Sequence, residues 1–178
     1  MNKVETLSRR AGWIAVAVAV LLTGPALAAN IGFEGSGEVS PTGAPDASGN
    51  LPVFASGSYA FNAQAGWSLS SPFVFNLGLG TGAGTFSFSS AADSLFGTLA
   101  TVGTPGGFAL TYTITGGTGT YAGARGYGQS TVTLLGDPNV PPTPFIESGE
   151  FTVPEPGSLA LLALGLAGLG AGRRRRGA

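Results

Sequence analysis

The sequence predicts an all-β body, a small antiparallel barrel of about eight strands, set between an apolar segment at each end. Three observations predict it. Apolar and polar residues alternate with a period of two in eight separate stretches between Asn30 and Val153. No stretch of that region has helical periodicity long enough to form a helix. The chain also holds 31 glycines, with no three-residue period that would indicate collagen. Glycines within strands suit the strong bending of a small closed barrel. Closure also removes the unpaired edges that a sheet with few charges could not easily protect.

The strands follow in order. Ile31, Phe33, Gly35, Gly37 and Val39 share one face of the first, with Gly32, Glu34, Ser36 and Glu38 on the other. Val53, Ala55, Gly57, Tyr59 and Phe61 repeat the pattern, and Trp67, Leu69 and Ser71 lead into Phe73-Val74-Phe75. Phe86 and Phe88 alternate with Thr85 and Ser87, and Leu95 to Val102 form a fifth strand. The cleanest alternation sets Phe108, Leu110, Tyr112 and Ile114 against Ala109, Thr111, Thr113 and Thr115. Val132 and Leu134 mark the seventh strand, and Phe151 and Val153 the eighth. Turns are expected at Pro41–Asn50, Asn76–Gly82, Thr104–Gly107 and Gly136–Pro144. The last of these, rich in proline, is where disorder is expected.

The ends read as targeting segments. Lys3, Arg9 and Arg10 precede the apolar run Ala11 to Leu22, and Thr23-Gly24-Pro25 break it. Ala26 and Ala28 then offer the small side chains that signal peptidase accepts. Residues 1–28 are therefore read as a signal peptide cleaved after Ala28, and residues 29–153 as the barrel domain. At the other end Pro154-Glu155-Pro156 precedes an apolar run from Gly157 to Gly172, followed by Arg173, Arg174, Arg175 and Arg176. Such a helix inserts into a membrane and stops, leaving its arginines in the cytoplasm. About 16 residues at a rise of 1.5 Å span roughly 24 Å, short of a ~30 Å hydrocarbon core, so the arginines must snorkel or the bilayer must thin. The two prolines keep the preceding backbone extended.

This tail, residues 154–178, resembles the PEP-CTERM sorting signal. The resemblance implies recognition of Pro154, Glu155 and Pro156 by an exosortase, a transmembrane helix at Leu159 to Leu169, and stop-transfer by the arginines. It implies transient residence in the inner membrane, then release to the cell surface or exterior. An outer-surface or biofilm-matrix destination follows, with extracellular polysaccharide as a candidate partner. Signal peptidase and exosortase are the transient enzyme partners.

A second resemblance lies within the body. Ile114-Thr115-Gly116-Gly117-Thr118-Gly119-Thr120-Tyr121-Ala122-Gly123-Ala124-Arg125-Gly126, preceded by Asp93-Ser94-Leu95-Phe96-Gly97-Thr98, looks like a signature of the allene oxide cyclase and dirigent barrels. It implies an antiparallel eight-stranded barrel.

Composition narrows the chemistry. Cys and His are both absent, which excludes disulfides, thiolate metal sites, a cysteine nucleophile and the commonest general base. Between Asn30 and Val153, Arg125 is the one base against seven acids, a net charge of −6. So acidic a body repels phosphate backbones, and nucleic acid is not an expected partner. Glu34 and Glu38 read as a solvated outer face, and Asp93 and Asp137 as turn residues. The glycine-rich run Gly116 to Gly126 lacks the lysine and following helix of a phosphate loop and reads as a bent strand pair with a tight turn. No metal, cofactor or catalytic residue is assigned. The body reads as a non-catalytic envelope or matrix protein. The alternative is a binder or isomerase of small lipophilic molecules, which requires an apolar pocket open at one barrel mouth, with Arg125, Asp93 or a tyrosine such as Tyr112 pointing inward.

Overall fold

The computed structural model describes residues 28–154, a compact unit in itself. Ala26 of the expected signal peptidase site, Glu155, Pro156, the apolar tail and Arg173 to Arg176 lie outside the described residues. Among the described residues, eight strands form a closed barrel in which each pairs antiparallel with its sequence neighbours. They are β1 (Ala28–Pro41), β2 (Asn50–Phe61), β3 (Gln64–Asn76), β4 (Thr81–Ser89), β5 (Ser94–Thr104), β6 (Gly107–Thr118), β7 (Gly126–Leu134) and β8 (Thr143–Pro154). β1 closes on β8 from Ala28↔Pro154 to Val39↔Thr143, so no strand edge is left unpaired. Among the described residues, the barrel's eight ladders and its buried core lie within this one segment.

Alternation drives the architecture. Along β5 the residues Leu95, Gly97, Leu99 and Thr101 are buried while Phe96, Thr98, Ala100 and Val102 are exposed. β7 and β8 are longer than the sequence suggested. Gly126-Tyr127-Gly128 and Glu147-Ser148-Gly149, outside the residues that mark the expected strands, are paired strand. Gly128 and Gly149 are places where a neighbouring side chain crosses the backbone. A Cβ on Gly128 would meet the Phe151 ring, and one on Gly149 would lie 2.7 Å from Phe33 Cζ.

All four expected turns are present, the last as the β7–β8 connection, residues 135–142. It is described throughout, and Asp137 ties it down by accepting the N–H and side-chain amide of Asn139 and, at its carbonyl, the Thr143 hydroxyl. The β2–β3 hairpin is a two-residue turn, Asn62-Ala63, with both φ positive. The Gly116–Gly126 run forms the end of β6, a single 3-10 turn (Gly119–Tyr121) and the loop into β7.

The core is asymmetric along the barrel. The half nearest the paired chain ends is filled by aromatic rings. Phe61 stacks on Trp67 at 4.3 Å and Phe33 on Phe151 at 4.4 Å, with Phe88 and Phe151 fully buried among them. The other half, ringed by the β1–β2, β3–β4, β5–β6 and β7–β8 connections, is not filled. There the inward residues Ala55, Ser71 and Thr101 are small.

Candidate functional site: a tyrosine-bound carboxylate beneath an apolar mouth

The boundary between the filled and unfilled halves is marked by Glu147. It is 4% exposed, on the same face of β8 as Phe145 and Phe151. A buried carboxylate is costly unless its oxygens receive hydrogen bonds. Here three hydroxyls supply them. Tyr59 donates to Oε2 at 2.5 Å, while Tyr112 and Ser130 each donate to Oε1 at 2.5 Å. The three hydroxyls together leave neither carboxylate oxygen without a partner. Burial first, and then the charge of Glu147, push the Tyr59 and Tyr112 phenols well above their ordinary range, so both keep their protons.

The register explains how Tyr59 reaches Glu147. In the ladder, Gly35 of β1 lies between Tyr59 of β2 and Glu147 of β8. A Cβ on Gly35 would collide with the Tyr59 ring and sit 2.6 Å from the Ser58 carbonyl oxygen. Only glycine leaves a path for the phenol to cross β1. Tyr112 approaches from the other side, from β6, and Ser130 from β7, the strand next to β8.

Above the quartet are two voids. The inner one, about 30 Å³, is lined by Glu147 and Tyr112 below and by Ala55, Leu69, Leu99 and Thr101 around it. The outer one, about 500 Å³, opens at the mouth among Leu51, Val53, Phe75, Leu134, Pro45 and Pro141. Val39, Phe73 and Phe108 line both. No charged side chain lines the outer void, and Glu147 is the one charged residue lining the inner.

Of the three residues expected to point into a pocket, Tyr112 faces the interior. The other two are elsewhere and do not line either void. Asp93 lies in the β4–β5 turn, at the opposite end, where its Oδ1 accepts the Thr120 N–H at 2.7 Å. Arg125 is exposed in the β6–β7 loop at that same end. The structural reason is the packing of the glycine-rich run against the β4–β5 turn. Asp93 caps its 3-10 turn and has no access to the lumen. Glu34 and Glu38 are exposed on the outer face of β1. Among the described residues no group of three Asp, Glu, His or Cys could hold a metal ion.

Glu147, the centre of the site, was not among the residues singled out from sequence. The signal was present. Counting back by twos from Val153 and Phe151 through Gly149 puts Glu147 and Phe145 on the core face.

Comparison with known proteins decides the nature of the tail. Residues 152–176 match the model of the PEP-CTERM protein-sorting motif. The chain carries a PEP-CTERM sorting signal. That motif implies export, sorting to the cell surface and processing by an exosortase. The signal begins inside the barrel, since Thr152 and the buried Val153 belong to β8 and Pro154 closes the ladder against Ala28. No linker therefore separates the last core residue from the sorting signal. Among solved structures, the chain is similar to a pterocarpan synthase dirigent protein at TM-score 0.51 and 13% identity, covering 76% of this chain and 94% of that one. This shows a shared barrel fold. Two others are a second pterocarpan synthase dirigent protein (TM-score 0.45, 12% identity, 75% and 99% covered) and pyocyanin demethylase (0.40, 16%, 69% and 99%). No curated protein matches the sequence.

Proposed function

We propose that the exported body is a non-catalytic carrier or receptor for a small lipophilic molecule at the cell envelope or in the extracellular matrix. The observation that carries this reading is the apolar mouth of about 500 Å³, continuous in its lining with a polar floor. That volume lies in the range of small-molecule sites, as does the combination of apolar walls with few fixed polar groups. The non-catalytic part rests on the quartet. Both oxygens of Glu147 already accept protein hydroxyls, and the phenols hold their protons far above neutrality. Neither arrangement suits a general acid or base working near pH 7.

The test is saturable, one-to-one binding of the neutral fluorophore N-phenyl-1-naphthylamine to the purified barrel segment, residues 28–154. Binding that rises linearly with probe and never saturates would remove the carrier reading. For the sorting step, replacing Pro154 and Pro156 by Ala is expected to leave the full-length chain in the membrane fraction. Release at the normal rate would show that the Pro-Glu-Pro stretch does not direct processing.

A further inference from the structure

The inner void has one polar wall besides its floor. Thr101, on β5, is 3% exposed, and its hydroxyl is the one buried side-chain polar atom among the described residues that has no hydrogen-bond partner. Its neighbour in the same void, Ser71, is satisfied, donating to the Thr85 carbonyl at 3.0 Å. The Thr101 methyl lies against Gly82, where an added Cβ would come within 2.8 Å of it. A buried hydroxyl with no partner is costly and rare, and calls for a partner that the protein itself does not supply. It can both donate and accept.

The charge around it restricts that partner. Glu147 lines the same void, and no Lys or Arg lines either void. A carboxylate head brought to this depth would lose its hydration and face a like charge with no cation beside it. An ammonium head would find Glu147 already holding three donors. A hydroxyl head needs neither, and it complements Thr101 by donating to it or accepting from it.

We propose that Thr101 anchors the head group of an uncharged, hydroxyl-bearing lipophile whose apolar tail fills the mouth between Phe73 and Phe108. The inference rests on the carrier reading above and assigns it a ligand class and a selectivity residue.

The test is displacement of N-phenyl-1-naphthylamine from the barrel segment at pH 8 by four ligands of equal chain length: 1-octanol, n-octane, octanoate and octylammonium. 1-Octanol is expected to bind about threefold to tenfold more tightly than n-octane, the usual worth of one net hydrogen bond. Octanoate and octylammonium should each bind at least tenfold more weakly than 1-octanol. Thr101→Val keeps the shape and removes the hydroxyl. It should erase the advantage of 1-octanol over n-octane without weakening n-octane, and Thr101→Ser should retain it. Circular dichroism checks that each variant is folded. If 1-octanol and n-octane bind alike, or if Thr101→Val leaves their ratio unchanged, the anchor is refuted while the mouth pocket stands. Octanoate or octylammonium binding more tightly than 1-octanol overturns the ligand class. Failure of all four ligands and of the probe itself overturns both readings.

Discussion

Removing the Tyr59 hydroxyl is expected to cost more stability than removing the Tyr112 hydroxyl, although both donate to the same carboxylate at 2.5 Å. The difference follows from which oxygen each one serves. Oε2 of Glu147 accepts from Tyr59 alone, whereas Oε1 accepts from both Tyr112 and Ser130. Tyr59→Phe therefore leaves a buried carboxylate oxygen with no donor, and Tyr112→Phe leaves its oxygen with one. A hydrogen bond to a charged group is worth about 1.5–3 kcal/mol, and an emptied buried acceptor falls at the upper end of that range. The expected losses are about 3 kcal/mol for Tyr59→Phe and about 1.5 kcal/mol for Tyr112→Phe or Ser130→Ala. Urea unfolding of the barrel segment measures them. With a slope of about 1.5 kcal/mol per molar, the midpoints should fall by roughly 2 M and 1 M respectively. Tyr127→Phe is the control, because Tyr127 is 60% exposed, and it should change stability by less than about 0.5 kcal/mol. Equal losses for Tyr59→Phe and Tyr112→Phe, or a larger one for Tyr112→Phe, would refute the assignment of donors to oxygens.

The remaining predictions concern alkali and the β1 crossing. Both buried phenols ionise higher in the folded state than in the unfolded chain, so their contribution is complete below pH ~10 and declines as pH rises above it. Two such groups give a fall of up to about 2.7 kcal/mol per pH unit in that window. Unfolding free energies at pH 9 and 11 should show it, with tyrosinate absorbance from the buried pair appearing only as the fold is lost. A barrel equally stable at both values would contradict it. Gly35→Ala should cost about 1–3 kcal/mol, and part of that cost should disappear in a Tyr59→Ala background, the clash with the Ser58 carbonyl remaining. A double-mutant cycle with no coupling would mean that the ring does not depend on the bare backbone at position 35.

The parts of this molecule that were legible in the sequence are those whose signal is local. Export and sorting depend on linear order alone: basic residues, an apolar run and small residues at one end, and Pro-Glu-Pro, an apolar run and arginines at the other. The strands β1, β2, β5 and β6 were equally plain, since each carries at least two large apolar residues on its inward face. β7 and β8 extend past the alternation that marks them, through Gly128 and Gly149, which carry no side chain to signal a face. Their absence of side chain is explained by Phe151, the ladder partner of Gly128, and by Phe33, which meets Gly149 only once β1 closes on β8. Asp93 caps the glycine-rich run and Arg125 lies within it, and that run packs at the end away from the mouth. The period-two count from Phe151 puts Glu147 on the core face, and the register that aligns Tyr59, Gly35 and Glu147 across three strands supplies its partner.

Stability does not account for a carboxylate in that position. A buried charge loses several kcal/mol of hydration, and replacing a satisfied buried polar cluster with apolar residues of similar volume is often neutral or stabilising. The filled half of the lumen demonstrates that this barrel packs well with aromatic rings, as Phe61 does on Trp67 and Phe33 on Phe151. The variant Glu147→Leu with Tyr59→Phe, Tyr112→Phe and Ser130→Ala removes the acceptor and all three donors together, so no group is left unpaired. It is expected to unfold within about 1 kcal/mol of the natural sequence, although Tyr59→Phe alone costs about 3. What it should lose is discrimination. Without a negative floor, octanoate should gain on 1-octanol, and the ratio of their affinities should move toward one. A folded quadruple variant that still rejects octanoate as strongly as before would place the source of selectivity outside the quartet.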